Sequence, residues 1–266
     1  NRRAFVFKNI TCSLGRSYEL PVAVGALSAN REIYSIGIGA PVEKIGEVWK
    51  NAIANPIPPR EITKAPCHDV VITGADLEGA GKGLDSLPIP ISTPGFDSAP
   101  YFTATGCISR NPETGVQNMG TYRAGLKSST RLAVRMSVRS GGAEGHQHWL
   151  KYKQRGEKMP MAIILGGPPS VCYCAPQKLQ LGVDEIAVAG GIVDCPINVV
   201  QAKTVDLLVP AESEIVVEGF IDPEFLEPEA PFGESHGHIA LEDYNNIMDI
   251  TAITYRKNAV IASIIS

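Results

Sequence analysis

The segment Leu226-Glu227-Pro228-Glu229-Ala230-Pro231-Phe232-Gly233-Glu234-Ser235-His236-Gly237-His238 constrains this chain most tightly. Three carboxylates, two imidazoles, two prolines and two glycines fall within it. Proline removes a backbone donor and glycine frees the backbone, so neither a helix nor a central strand suits the run, and it reads as a shaped loop. Glu229 and Glu234 stand five positions apart, with a rigid proline and a permissive glycine between them. That spacing can aim two carboxylates into one pocket. A solvated acidic turn has the same composition. What separates the two readings lies upstream, at Asn118 and Arg123.

A chain of 266 residues makes one large domain or two ordinary ones. With 44% hydrophobic and 20% charged residues it can bury a normal core. The net charge of −4 argues against a nucleic-acid or anionic-membrane partner. No apolar run reaches the length of a membrane span. The six cysteines form no C-x-x-C pair, and Cys172 and Cys174 are too close for a zinc-ligand pair, so we expect reduced thiols in the cytoplasm. The chain starts at Asn1 without a Met and stops inside the apolar run Ala259–Ser266, which leads us to expect a longer polypeptide.

An α+β organisation follows from the order of patterns. Residues 1–95 read as a small α/β domain: a β-like run at Ala4–Phe7, an apolar run at Pro21–Leu27, a helix over Val42–Ala54 ended by Pro56, Pro58 and Pro59, and a strand at Asp69–Thr73. The proline-rich Leu87–Pro100 segment marks the boundary. Residues 96–266 then carry strands at Tyr101–Ile108, Gly120–Leu126, Leu132–Val138, Met161–Leu165, Ile197–Val209 and Glu214–Ile221. A hairpin is expected from Met248–Tyr255 and Ala259–Ile265, with helices over His146–Arg155 and starting within Gly182–Ala189. This suggests a barrel-like sheet with helical insertions.

Few motifs carry chemistry. Gly79–Gly83 has G-x-G-x-G without the strand–glycine–helix context of a nucleotide loop, and neither H-E-x-x-H nor G-x-S-x-G occurs. In Gln117–Arg123, Asn118 offers an amide oxygen to a hard cation, Gly120 permits close approach of backbone amides to a phosphate, and Arg123 presents a fork for a carboxylate. The same segment also fits a turn and a strand bearing a surface arginine. His146 and His148 stand two apart, a poor metal pair on a helix, although one of them can serve in a mixed site. Glu185 suits the first turn of a helix and equally a hard cation.

Taken in order, Asn118-x-Gly120-Thr121-Tyr122-Arg123, Glu185 before Ala189-Gly190, the Val209–Gly219 run and Glu229-Ala230-Pro231-Phe232-Gly233-Glu234 resemble the UbiD family of prenylated-FMN-dependent (de)carboxylases. Leu87–Pro90 and Gly166–Pro169 extend the resemblance over nearly the whole chain. It implies a flavin-reductase-like split β-barrel for residues 96–266, and a further C-terminal dimerisation domain beyond this chain. Arg123, Glu229 and Glu234 match the family's catalytic set. Asn118 and Glu185 match two ligands of a divalent metal, usually manganese, with potassium nearby. His148 is the best match for the third, with His146 and Glu144 the alternatives under a shifted alignment. Asn118, Gly120, Thr121, Tyr122 and Glu185 fall at cofactor-binding positions. Ala230 stands where the family loop usually has glycine.

The resemblance implies reversible non-oxidative decarboxylation of an aromatic, heteroaromatic or α,β-unsaturated carboxylic acid. Arg123 would orient the carboxylate, Glu229 would hold Arg123, and Glu234 would deliver the proton, which requires it to hold one at working pH. Expected partners are the small-molecule acid, a flavin prenyltransferase that supplies the cofactor and further copies of the chain. A flavin-binding subunit without catalysis and a split-barrel flavin reductase are the alternatives. The particular acid and the physiological direction stay open at this level.

Overall fold

The structure, a computed structural model, describes residues 2–138, 142–229, 231–234, 236–240 and 243–265. The first third supplies β1 (Phe5–Phe7), β2 (Val22–Val24), α1 (Arg31–Ile38), α2 (Ile45–Ala54), β3 (Arg60–Glu61) and β4 (Val70–Thr73). Next come β5 (Tyr101–Phe102), β6 (Thr105–Arg110), β7 (Gln117–Gly120), β8 (Ala124–Ser128) and β9 (Arg131–Val134). After them run α3 (Glu144–Arg155), β10 (Met159–Leu165), α4 (Pro169–Cys174) and α5 (Glu185–Val193). The last part holds β11 (Asn198–Gln201), β12 (Leu208–Pro210), β13 (Ile215–Glu229), β14 (Phe232–Gly233), β15 (Ile239–Ala240), β16 (Asp243–Tyr255) and β17 (Ile261–Ser263).

One large sheet dominates, in the order β5-β8-β9-β16-β13-β10-β6-β7, with β4 also paired to β16. Its centre is buried on both faces, which explains the unbroken apolar run of β10. Met159, Met161, Ile163 and Leu165 enter one core, with Ile215 and Val217 of β13 and Trp149 of α3. Ala162 and Ile164 point the other way, as the two-residue period of a strand requires, and pack with Val171 of α4 and Ile186, Val188 and Ile192 of α5. α5 lies so close to α2 that a Cβ on Gly191 would come within 2.9 Å of the Ala52 Cα.

Residues 1–95 share ladders with the rest: β4 with β16, β3 with β11, and β2 with β17. α1 carries no expectation above, although Asn30 caps it through Ile33 N–H (2.9 Å) and Gly39 ends it at φ 75°.

Several expected elements differ. β17 does not form a hairpin with β16; it runs parallel to β2, because β16 is already paired to β13, β9 and β4. The expected Ile197–Val209 strand divides into β11 and β12. The chain turns at Lys203 and Thr204, whose N–H groups donate to the buried Glu218 carboxylate at 2.9 and 2.6 Å, with the Thr204 hydroxyl at 2.8 Å. Glu218→Ala should therefore lower stability by about 2–4 kcal/mol, measured by urea unfolding. The expected loop from Leu226 is a strand as far as Glu229: after a register shift between Ile221 and Leu226, β13 resumes pairing with β16, and the Pro228 carbonyl accepts from Lys127 Nζ at 3.1 Å.

The most consequential difference lies at residues 102–124. Tyr101–Ile108 and Gly120–Leu126 each divide into two strands that lie toward opposite ends of the sheet order. Thr121 N–H donates to the Ala175 carbonyl (3.1 Å) and Tyr122 N–H to Thr105 Oγ1 (3.1 Å), which withdraws both amides from the ladder. Two residues join β5 to β6, a reach of only about 10 Å, so the sheet curls enough to bring these two strands to within that gap. Thr103, Thr121, Tyr122 and Arg123 lie on the two connections that cross that gap.

Candidate active site

Arg123 follows the break in the ladder, and β13 and the β14 turn bring two carboxylates to it. Its Nε and Nη2 donate to Glu229 Oε1 and Oε2, both at 2.8 Å, a two-pronged pair. Its Nη1 donates to Glu234 Oε1. The Phe232 ring stacks under the guanidinium, 4.4 Å from ring centre to Cζ. Arg135 Nε lies 3.7 Å from Glu229. The Glu229 side chain is 2% exposed and that of Glu234 29%, so one carboxylate is buried and the other is reachable. Burial alone would push the Arg123 guanidinium down; the hydrogen bonds and charges of Glu229 and Glu234 raise it above its ordinary value. The cluster faces a cavity of about 720 Å³, whose lining includes Thr121, Tyr122, Phe232 and Glu234. A second cavity of about 660 Å³ adjoins it, and Thr121 and Ile264 line both.

Asn118, His148 and Glu185 converge on β7 from three elements. Asn118 is buried on the strand itself. Its ladder partner Ser109 bonds His148 Nδ1 through Oγ at 2.9 Å. Glu185, on the first turn of α5, accepts the N–H of Met119 at 2.9 Å. Asp184 caps that helix by accepting from Ile186 and Ala187 N–H. His148 Nε2 and Asn118 Nδ2 are buried without a hydrogen-bond partner. Orphaned buried atoms of this kind, beside a buried carboxylate, suit a cation, and the amide can turn its oxygen inward. Burial pushes His148 down to about 4, which keeps the imidazole neutral and able to ligate. Glu144, one of the alternatives, has its Oε1 3.7 Å from His148 Nε2. His146, the other, lies with its ring 5.4 Å from that of Trp149. Among the described residues, no group of three His, Cys, Asp or Glu is placed to hold a metal; the set here includes an amide.

Burial pushes Glu185 up to about 7, with Glu144 and Asp184 adding to the rise. The folded state thus holds a proton on Glu185 that the unfolded chain gives up at the ordinary carboxylate value. The stability this brings is complete below that value and is lost as pH rises through about 7. Glu185→Gln should therefore stabilise the metal-free protein at pH 8 by up to about 3 kcal/mol in denaturant unfolding, and remove any stabilisation by added Mn²⁺.

Gly120 does not present free amides here, since those of Thr121 and Tyr122 are both taken internally. A Cβ at Gly120 would instead run into the Tyr122 ring, whose hydroxyl accepts from Gly145 N–H at 3.1 Å. Ala230 lies outside the described residues. Arg135, Phe232 and Ser109 drew no expectation of their own. Only Phe232 stood inside a motif that could have signalled its place.

A family model described as 3-octaprenyl-4-hydroxybenzoate carboxy-lyase Rift-related domain, UbiD, matches residues 60–266. The chain belongs to the UbiD family. An uncharacterised protein of Aquifex aeolicus (strain VF5) is 34% identical over 220 residues, which is 82% of this chain and 43% of that one. The UbiD-class enzyme HmfF of Pelotomaculum thermopropionicum is similar in structure. Its complex with FMN superposes with a TM-score of 0.85 at 32% identity, over 93% of this chain and 54% of HmfF. An evolved dimeric HmfF in complex with prFMN gives the same TM-score and identity, over 93% and 56%. The closed form of vanillic acid decarboxylase from Sedimentibacter hydroxybenzoicus shares the fold, with a TM-score of 0.87 at 24% identity over 98% and 54%. The chain thus spans about half the length of the proteins it matches. The fold is a mixed α+β one of the UbiD class. No helix among the described residues is long and apolar enough to cross a membrane.

Proposed function

We propose that this chain forms the catalytic part of a reversible decarboxylase for an aromatic, heteroaromatic or α,β-unsaturated carboxylic acid. The Arg123–Glu229–Glu234 cluster facing the larger cavity carries this reading. Prenylated FMN, when bound, supplies the electron sink that loss of CO2 from an sp2 carbon requires. The liganded HmfF structures support that cofactor. Asn118, His148 and Glu185 would hold a divalent cation, manganese in our reading with potassium beside it, and Gly120, Thr121 and Tyr122 would border the cofactor. The curled sheet of residues 96–266 serves as the split barrel that binds it; from residues 1–95, β4 joins that sheet, while β2 and β3 pair with β17 and β11 in two smaller sheets.

The chemistry of the chain's own residues follows from their pairing. Glu229, buried and bonded through both oxygens, fixes the plane of the guanidinium. Glu234 bonds the remaining terminal nitrogen, so a substrate carboxylate competes with it for Arg123. Displacement would free Glu234 from the ion pair and leave it placed to deliver a proton to the carbon left by CO2. Phe232 and Tyr122 supply apolar walls for an unsaturated acid. A reducing compartment, the cytoplasm, belongs to this proposal. Assembly with further copies and supply of cofactor by a flavin prenyltransferase belong to the same proposal.

The test is mass spectrometry of the flavin released from the full-length protein, co-produced with a flavin prenyltransferase. CO2 release from a panel of unsaturated acids in the presence of Mn²⁺ and K⁺ is measured alongside. Prenylated FMN with turnover is the expected result. Plain FMN, or oxidation of a reduced nicotinamide without CO2 release, overturns the proposal.

A further inference from the structure

We infer that Asp97 is a positioning residue that sets the pose of Glu234 by anchoring the turn that carries it. The inference rests on the reading of Glu234 as proton donor. Asp97 divides its two oxygens between two backbone donors: Oδ1 accepts from Gly233 N–H and Oδ2 from Thr93 N–H, both at 2.8 Å. Gly233 is the residue directly before Glu234. A bond from an amide to an ionised carboxylate is about twice as strong as a neutral one.

Three further contacts join the same two segments. Ser98 N–H donates to the Pro231 carbonyl at 3.0 Å. Gly233 lies so close to Thr93 that a Cβ would run into its side chain. The rings of Tyr101 and Phe232 lie 4.5 Å apart, and Phe232 supports Arg123. Among the described residues, β14 has no ladder partner except β15 and so gains nothing from the large sheet. The turn beyond it closes on itself, through Glu234 N–H to the His238 carbonyl (2.8 Å) and Gly237 N–H to the Glu234 carbonyl (2.9 Å). Apart from the contacts with Arg123 itself, its orientation therefore depends on the 93–101 segment. Asp97 is not part of the cavity lining, so it acts on the reaction through Gly233 and not on the substrate.

The experiment compares wild type, Asp97→Ala and Asp97→Asn in the full-length, cofactor-loaded protein, by amide hydrogen exchange and steady-state kinetics. Asp97→Ala should speed exchange at 231–234 by about tenfold or more while β10 and β13 exchange as before. It should lower kcat by about tenfold or more with KM within about twofold, because a misplaced proton donor weakens the transition state and not the ground state. Asp97→Asn keeps an oxygen for Gly233 and should recover most of kcat. Unchanged exchange at 231–234, unchanged kcat, or faster exchange throughout the large sheet would each overturn the inference. A wild type that releases CO2 from no acid defeats the decarboxylase reading alone; exchange confined to 231–234 in Asp97→Ala would still support the anchor, and its absence would still remove it.

Discussion

Replacing Glu234 with glutamine should lower kcat by about 10²–10⁴ with little change in KM or stability. Glutamine keeps an oxygen for Arg123 Nη1, so the turn has no reason to move, and the side chain is exposed enough for its charge to contribute little to folding. What glutamine cannot do is give a proton to carbon. In deuterated water, deuterium appearing in the product at an unchanged rate would show that the proton comes from elsewhere. Full turnover by Glu234→Gln would withdraw the proton-donor role altogether.

Arg123→Ala is expected to have two separable effects, loss of turnover and loss of stability. The Glu229 carboxylate would stay buried without its partner, a situation that costs about 3–5 kcal/mol when a buried pair is broken from one side. Arg135, 3.7 Å from Glu229, should hold the loss toward the lower figure. Adding Glu229→Gln to the variant removes the stranded charge. Chemical denaturation of the double variant should therefore recover most of the stability, while turnover stays absent. If the double variant is as unstable as Arg123→Ala, the pair is not what holds this region together. If either variant retains turnover, Arg123 does not orient the substrate.

The extent to which these features could be read in advance follows the range of the interactions that create them. β10 was legible because both faces of the strand are buried, which leaves an apolar run that no loop would carry. α3 was legible from local patterns within a few residues at each end, and so was the start of α5. The breaks at Thr103–Ala104 and Thr121–Arg123 were not, since their cause is distant: the amides of Thr121 and Tyr122 are claimed by Ala175 and Thr105. The division of Ile197–Val209 likewise depends on Glu218, a residue on another strand. The identities of Arg123, Glu229 and Glu234 stood in the sequence in family order, but the contact of the first two is made only by the fold. Asp97 was invisible because its meaning lies 136 positions away, at Gly233.

The run from Asn118 to Arg123 works as a ruler. It joins the cation-suited cluster to the carboxylate clamp through five peptide steps, which at about 3.3 Å each allow a separation of at most about 17 Å. Any molecule anchored at the first and reacting beside the second is measured against that length. Both ends of the ruler are pinned, by Glu185 at Met119 and by Glu229 at Arg123, so it cannot slide. A one-residue insertion between them would shift the two ends out of step. The reach of any molecule that spans the two clusters is thus written into the length of a single backbone segment.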